Sequence, residues 1–245
     1  MSEQQQQKVA MVVMAHADDA EFGCAGTAAR WAKEGWEVYY VLCTDSSSGG
    51  PDDATDVSEE ARQRIVATRM QEQRNACAIL GVKDVFFLGH RDGELQPTIE
   101  LRKELVRLYR TYKPTRLICQ SPVRTWEPAM SLGAYHPDHM AAGEAALAAV
   151  YPASQNPWDF PDLFEKEGLK PHKVKEVFIM SSPKENYISD ISSTIELKWE
   201  ALRAHTSQLG DHFEEIRSWI DSYHATVGKK IGTTHAESFH RTENR

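Results

Sequence analysis

The chain has 245 residues and is acidic, with 36 Asp and Glu against 28 Lys and Arg and a net charge of -8. This balance, without a basic block, argues against a nucleic acid partner. All apolar stretches fall short of the ~18 residues that span a bilayer, so we expect no membrane segment. The length suits one large α/β domain, and we predict a single domain over 1–245.

The N-terminus and the cysteines favour a cytoplasmic protein. Residues 1–7, MSEQQQQ, lack the basic and apolar regions of a signal peptide, and we predict a disordered leader there. The four cysteines are scattered, form no C-x-x-C pair, and each lie in or beside an apolar segment. We therefore expect buried, reduced thiols, which are typical of the cytoplasm.

Apolar segments of strand length alternate with helix-length segments along the chain. The alternation and the short connections predict a Rossmann-like, doubly wound α/β fold, with a mostly parallel sheet and helices on both faces. The polar loop 45–58 is interpreted as a mobile lid or as disorder, and 152–172 is predicted to be irregular. The predicted strands are 8–15, 36–43, 84–88, 116–120 and 175–181, and the predicted helices are 22–35, 58–80, 98–112, 137–151, 194–205 and 211–227.

Polar residues cluster where two of the predicted strands end. His16 closes the first strand and is followed by Asp18 and Asp19, while the motif His-Pro-Asp-His at 136–139 follows the fourth strand. In the common strand order 3-2-1-4-5 these two strands are neighbours, and ligands bind at their carboxyl ends. Either motif alone is well explained by a turn or a helix cap. The two motifs together indicate a metal site.

The residue types in these motifs suit metal-assisted hydrolysis. His16, Asp19 and His139 would supply the three protein ligands of a catalytic zinc, whose bound water attacks a carbonyl carbon. Asp18 is predicted to be the general base, and His136 to stabilise the oxyanion or to protonate a leaving amine. The same ligand set also suits Fe²⁺, Co²⁺ or Mn²⁺.

The motifs AHADDAEFGCAGT at 15–27 and YHPDHMAAGEA at 135–145 are similar to those of the LmbE/PIG-L family of zinc-dependent N-deacetylases. The resemblance implies removal of acetyl from a small N-acetylated amino sugar of the N-acetylglucosamine type, or from its conjugate, by a homo-oligomer. The family commonly has Pro where this chain has Ala17. Further segments that resemble the family are 67–82, 87–95, 198–208 and 236–241.

The resemblance also implies roles for individual residues. The ligand, base and oxyanion assignments are the same as those made above, with Asp138 orienting His136. Arg69 resembles a substrate-binding arginine, and the resemblance slightly favours that role over the simpler explanation of a solvated helix charge. Asp92 follows the third strand and either accepts hydrogen bonds from sugar hydroxyls or forms a turn with Gly93.

Two other interpretations of the site remain open. A hydrolase of another amide or of an ester would use the same residues on a different bond. A non-catalytic Rossmann-like binding protein would hold a structural metal or none. Asp18 argues against the binding protein, because a closed structural site has no use for an additional carboxylate.

Overall fold

The centre of the protein, seen in a computed structural model that describes residues 8–126 and 135–245, is a seven-stranded sheet. The leader predicted at 1–7 lies outside the described residues. The strands are Val9–Met14 (β1), Glu37–Thr44 (β2), Asp84–His90 (β3), Arg116–Gln120 (β4), Glu176–Met180 (β5), Tyr187–Asp190 (β6) and Ala236–Glu243 (β7). Their order across the sheet is β3-β2-β1-β4-β5-β7-β6.

Helices cover both faces of this sheet. They are Asp19–Gly23 (α1), Ala25–Lys33 (α2), Glu59–Leu80 (α3), Ile99–Tyr112 (α4), Pro137–Ala148 (α5), Pro161–Glu165 (α6), Ile195–Arg203 (α7), Thr206–Leu209 (α8) and Phe213–Lys229 (α9). A π-helical turn at Ala149–Ala153 extends α5, and a 3₁₀ turn at Gly210–His212 precedes α9. Among the described residues, no helix is both long enough and apolar enough to cross a membrane.

The central strand β1 shows why the fold is doubly wound. All six of its residues are buried, and successive side chains point to opposite faces of the sheet. Met11 and Val13 pack with α4 and α5 on one face, whereas Val12 and Met14 pack with α2 and α3 on the other. β1 pairs in parallel with β2 and β4, and β5 also runs parallel to β4. The predicted fold class and the strand order 3-2-1-4-5 are confirmed.

Two antiparallel strands at one side of the sheet were not predicted. β7 pairs with β5 and β6 pairs with β7, both antiparallel. The sequence of β7 reads as polar because it contains Glu237, yet that residue is fully buried and its carboxylate lies 2.9 Å from Lys198 Nζ. Because this ion pair is buried, β7 is part of the sheet although its charged residues suggest a solvated segment.

Several helix boundaries also differ from the prediction. The helix predicted at 22–35 is two helices, because the backbone leaves helical geometry at Cys24, with φ at -146°. Part of the segment predicted to be irregular forms α6, and the helix predicted at 211–227 is displaced to α9. The start of α3 agrees with the prediction, since Ser58 accepts a hydrogen bond from the N–H of Ala61. All four cysteines are buried and free, as predicted.

The helix α5 approaches β4 closely because Gly143 has no side chain. A Cβ atom at this position would lie 2.3 Å from the carbonyl oxygen of Gln120. The close contact brings the first turn of α5 to the carboxyl end of β4, beside the end of β1. The two polar motifs of the sequence therefore meet at one edge of the sheet.

Candidate active site

The turn after β1 is held by hydrogen bonds to β4. The N–H of Ala15 donates to Gln120 Oε1 at 2.9 Å, and Gln120 Nε2 donates to Asp19 Oδ2 at 3.0 Å. The N–H of His16 donates to the same Asp19 oxygen at 2.8 Å. Asp19 Oδ2 is thus occupied by two donors, and Asp19 Oδ1 faces His139 Nε2 at 3.0 Å.

His16, Asp19 and His139 form a triangle of ligand atoms. His16 Nδ1 lies 3.3 Å from His139 Nε2 and 3.5 Å from Asp19 Oδ2. Bonds of 2.0–2.1 Å to a tetrahedral zinc separate neighbouring ligand atoms by about 3.3–3.4 Å, so the spacing of the two imidazole nitrogens fits a shared ion. Asp19 lies beside both nitrogens through different oxygens, with Oδ2 near His16 and Oδ1 near His139. Imidazole nitrogen and carboxylate oxygen are also the donors that zinc takes in catalytic sites.

The second nitrogen of His16 is held by carboxylates on the opposite side of the ring. His16 Nε2 lies 3.1 Å from Asp138 Oδ2 and 3.0 Å from Asp92 Oδ1. Asp138 is fixed in turn by the N–H groups of Gly93 and Leu95, at 2.7 and 3.2 Å. A ring that donates from Nε2 presents the lone pair of Nδ1 to its other neighbours, as metal-binding histidines do.

The carboxylates around His16 create a strongly negative environment. Burial lowers the pKa of His16, but hydrogen bonds to carboxylates, with that of Asp138 the largest, outweigh burial and raise the pKa to about 12. Burial raises the pKa of Asp19, but His139 outweighs it and holds that pKa well below the usual range. The surplus of carboxylates favours a positive charge at this place, whether a proton or a metal ion.

His136 stands across the site, with its ring centroid 4.8 Å from that of His16. Its Nδ1 accepts a hydrogen bond from the backbone N–H of Asp138 at 3.2 Å, so a neutral ring carries its proton on Nε2. Burial and the neighbouring His16 and His139 lower the pKa of His136. The orienting contact from Asp138 therefore comes from its backbone, while its carboxylate is engaged by His16.

Two further groups of side chains could hold an ion. The ligand atoms of His16, His136 and His139 lie within 4.8 Å of one another, and so do those of His16, Asp92 and Asp138. To bind an ion within the first group, His136 must either give up the backbone hydrogen bond at Nδ1 or bind the ion through Nε2. The second group lies on the side of His16 that already donates to carboxylates.

Asp18 lies at a tight turn beside the ligand triangle. Its backbone is left-handed, with φ at 75°, and its N–H donates to Gln73 Oε1 at 3.1 Å. Its carboxylate lies 2.9 Å from Arg69 Nη2, which also donates to the carbonyl oxygen of Ala17 at 2.6 Å. Burial raises the pKa of Asp18 to about 6, against the opposing effect of Arg69. A carboxylate tuned in this way can exchange a proton near neutral pH.

Seven of the eight predicted site residues line one cavity of about 290 Å³, the metal-site cavity, and Asp138 lies behind His16. Arg69 is 3% exposed and also contacts Glu72, so it is not the solvated helix charge of the simpler explanation. Asp92 accepts a hydrogen bond from the N–H of Ser48 at 3.0 Å. The predicted residues that line the cavity are His16, Asp18, Asp19, Arg69, Asp92, His136 and His139.

Three supporting residues were missed by the sequence analysis. Gln120 bridges β4 to Asp19, Gln73 holds the N–H of Asp18, and Ser46 accepts a hydrogen bond from the N–H of Ala17. Gln120 had a usable signal, because it is the polar residue that ends an apolar strand beside the site. Gln73 and Ser46 lie in a polar helix and a polar loop, where nothing in the pattern distinguishes them.

The fold and the site define an α/β protein with a cluster of His and Asp at the carboxyl ends of its parallel strands. The sequence profile of the PIG-L family, described as GlcNAc-PI de-N-acetylase, matches residues 11–150. The chain belongs to this family.

Named relatives cover most of the chain. It is 33% identical over 231 residues to a diacetylchitobiose deacetylase of Thermococcus kodakarensis, covering 94% of this chain and 81% of the relative. It is 29% identical to a probable N-acetyl-alpha-D-glucosaminyl L-malate deacetylase 2 of Bacillus anthracis, with 89% of each covered. The N,N'-diacetylchitobiose deacetylase of Pyrococcus horikoshii has a similar structure, with a TM-score of 0.84, 30% identity, and coverage of 96% of this chain and 84% of that one.

Proposed function

We propose that the protein is a metal-dependent hydrolase that removes acetyl from an N-acetylated amino sugar or its conjugate. The observation that carries the proposal is the triangle of His16, Asp19 and His139 next to the half-buried carboxylate of Asp18. The deacetylase names of the relatives support the choice of an N-acetylated sugar as substrate.

In this proposal His16 Nδ1, His139 Nε2 and the carboxylate of Asp19 hold the metal. Gln120 fixes the Asp19 carboxylate, and Asp138 fixes the ring of His16, each through a hydrogen bond. A zinc ion bound there would lower the pKa of a water ligand from 15.7 to about 7 and polarise the substrate carbonyl. Fe²⁺, Co²⁺ and Mn²⁺ accept the same donor set.

The protein side chains handle the protons and the developing charge. Asp18 accepts a proton from the attacking water, and its position beside Arg69 keeps the carboxylate aimed at the cavity. His136, whose Nδ1 is blocked by a backbone N–H, donates from Nε2 to the carbonyl oxygen as negative charge develops there. The C–N bond then breaks, and a proton moves to the departing nitrogen, so that acetate and a free amine leave.

Arg69 and Asp92 would meet the substrate in the metal-site cavity. Asp92 lies in the wall of this cavity, where its carboxylate can accept hydrogen bonds from sugar hydroxyls in addition to that from the N–H of Ser48. Arg69 lines the same cavity, where it can contact the substrate, and its Nη2 also positions the carboxylate of Asp18. The polar groups of Ser48 and Gln208 complete a wall suited to hydroxyl groups.

The test of this function is acetate release from a panel of N-acetylglucosamine conjugates by the zinc-loaded protein, beside a sample treated with a chelator. We expect release that the chelator abolishes and that added zinc restores. If no conjugate yields acetate while about one metal ion remains bound per chain, the proposed reaction is wrong.

A further inference from the structure

A second and larger cavity adjoins the metal-site cavity. It has a volume of about 580 Å³, and it shares the residues Asp18, Asp19 and His139 with the metal-site cavity. Its other walls come from α1, the end of β5 and α9, and we call it the apolar cavity. Apolar side chains from these elements are Phe22, Met180, Trp219, Ile220 and Tyr223.

Several polar side chains of the apolar cavity have hydrogen-bond partners, whereas His224 Nε2 is buried without one among the described residues. Ser238 Oγ donates to Glu185 Oε1 at 2.6 Å and lies 3.2 Å from the hydroxyl of Tyr223. His224 Nδ1 donates to the carbonyl oxygen of Ala236 at 3.0 Å. The aromatic and aliphatic faces that remain favour an apolar occupant.

The position of the two cavities assigns them to the two sides of the scissile amide. The reacting carbonyl carbon carries the sugar nitrogen on one side and the acyl chain on the other. Asp92, Ser48 and Gln208 make the metal-site cavity suitable for sugar hydroxyls. The acyl chain must therefore extend from the shared residues in the other direction, into the apolar cavity.

An acetyl group would leave most of this space without substrate. Its methyl group is similar in size to a water molecule, whose share of liquid volume is about 30 Å³. The apolar cavity is many times larger. Apolar area that stays in contact with water contributes nothing to binding, whereas each methylene buried there adds to it.

We propose that the apolar cavity binds the acyl group of the substrate, and that the enzyme hydrolyses amino sugars carrying N-acyl chains longer than acetyl. This inference rests on the proposed function and extends its substrates from N-acetyl to longer N-acyl groups. The reaction is the same hydrolysis: water supplies OH to the acyl carbon and a proton to the sugar nitrogen. A medium-chain carboxylate and a free amino sugar are the products.

The test measures kcat/KM for glucosamine carrying N-acetyl, N-butanoyl, N-hexanoyl and N-octanoyl groups, by release of the free amine from zinc-loaded enzyme. We expect kcat/KM to rise with chain length, by up to about fourfold for each methylene that is buried. A second series of N-acetylglucosaminides with octyl or phenyl aglycones tests whether the apolar group belongs on the sugar instead.

Trp219 offers a variant that changes the apolar cavity without disturbing the core. It is 73% exposed, and Trp158, which is 86% exposed and does not line the apolar cavity, is the matched control. We expect Trp219→Ala to reduce the ratio of kcat/KM for the N-octanoyl substrate to kcat/KM for the N-acetyl substrate, while Trp158→Ala leaves this ratio unchanged. Tyr223→Ala serves as the second variant.

Binding provides a measurement that is independent of turnover. Calorimetry of the zinc-loaded enzyme with octanoate and with acetate should show tighter binding of octanoate, and Trp219→Ala should reduce the difference. Turnover of the N-acetyl substrate with no gain from longer chains overturns the inference and leaves the proposed function standing. A gain confined to the octyl or phenyl glycosides overturns the acyl assignment. No amine release from any substrate counts against both.

Discussion

Gln120 is expected to support metal binding although it lies outside the ligand set. Its side chain is 2% exposed, accepts from the N–H of Ala15 and donates to Asp19 Oδ2. Gln120→Met keeps the approximate shape and removes both hydrogen bonds. An unsatisfied buried N–H costs about 1–3 kcal/mol and a bond to a carboxylate contributes about 1.5–3 kcal/mol, so the free energy of unfolding should fall by about 2.5–6 kcal/mol.

The same substitution releases the Asp19 carboxylate from one of its two donors. Loss of such an outer hydrogen bond typically weakens metal affinity by about 10–100-fold. Competition with a chromophoric chelator measures the affinity, and urea unfolding measures the stability. Gln63→Met is the matched control, since Gln63 is exposed and donates to the exposed side chain of Glu59. Metal affinity within about twofold of the unsubstituted protein would refute the role given to Gln120.

Two further predictions concern buried groups outside the metal-site cavity. Burial lowers the pKa of His224 to about 4, so the unfolded chain binds more protons at this residue between its ordinary pKa of 6.5 and about 4. The free energy of unfolding therefore has its full value above this pH window and falls by about 3 kcal/mol as the pH drops through it. In urea titrations at several pH values, His224→Gln should lose correspondingly less stability than the unsubstituted protein. Equal losses in both proteins would contradict this. Lys198→Met leaves the buried carboxylate of Glu237 without its cation and should lower the free energy of unfolding by about 3–5 kcal/mol at neutral pH. Combining Lys198→Met with Glu237→Gln should recover much of this loss. A loss below about 1 kcal/mol for Lys198→Met in thermal unfolding would contradict the importance of the pair.

The sequence predicted the part of the fold that depends on strong periodicity. β1 reads as an uninterrupted apolar run because both of its faces are covered, and its neighbours follow from the short connections. The juxtaposition of His16 and His139 followed from topology, because parallel strands end at one edge. Composition did not predict the strand β7, because the burial of Glu237 depends on Lys198, which is 39 residues away and which the local pattern does not identify.

The orientation of the site residues could not be predicted in the same way. The family resemblance implied that Asp138 orients His136, and the helical first turn of α5 brings the backbone N–H of Asp138, not its carboxylate, to that ring. The carboxylate instead points across to His16, which is 122 residues away. Such contacts depend on side-chain directions at the helix start, and the spacing of residues does not determine them.

The role of Asp18 as the general base is the central claim, and Asp18→Asn in zinc-loaded protein tests it most directly. Asparagine keeps the size of the side chain and cannot accept the proton, while the ligand triangle stays intact. Asp53→Asn, at an exposed residue, is the control. We expect kcat on the best N-acylated sugar to fall by about 10²–10⁴ with zinc content unchanged. Full activity of Asp18→Asn with its zinc retained would contradict the mechanism.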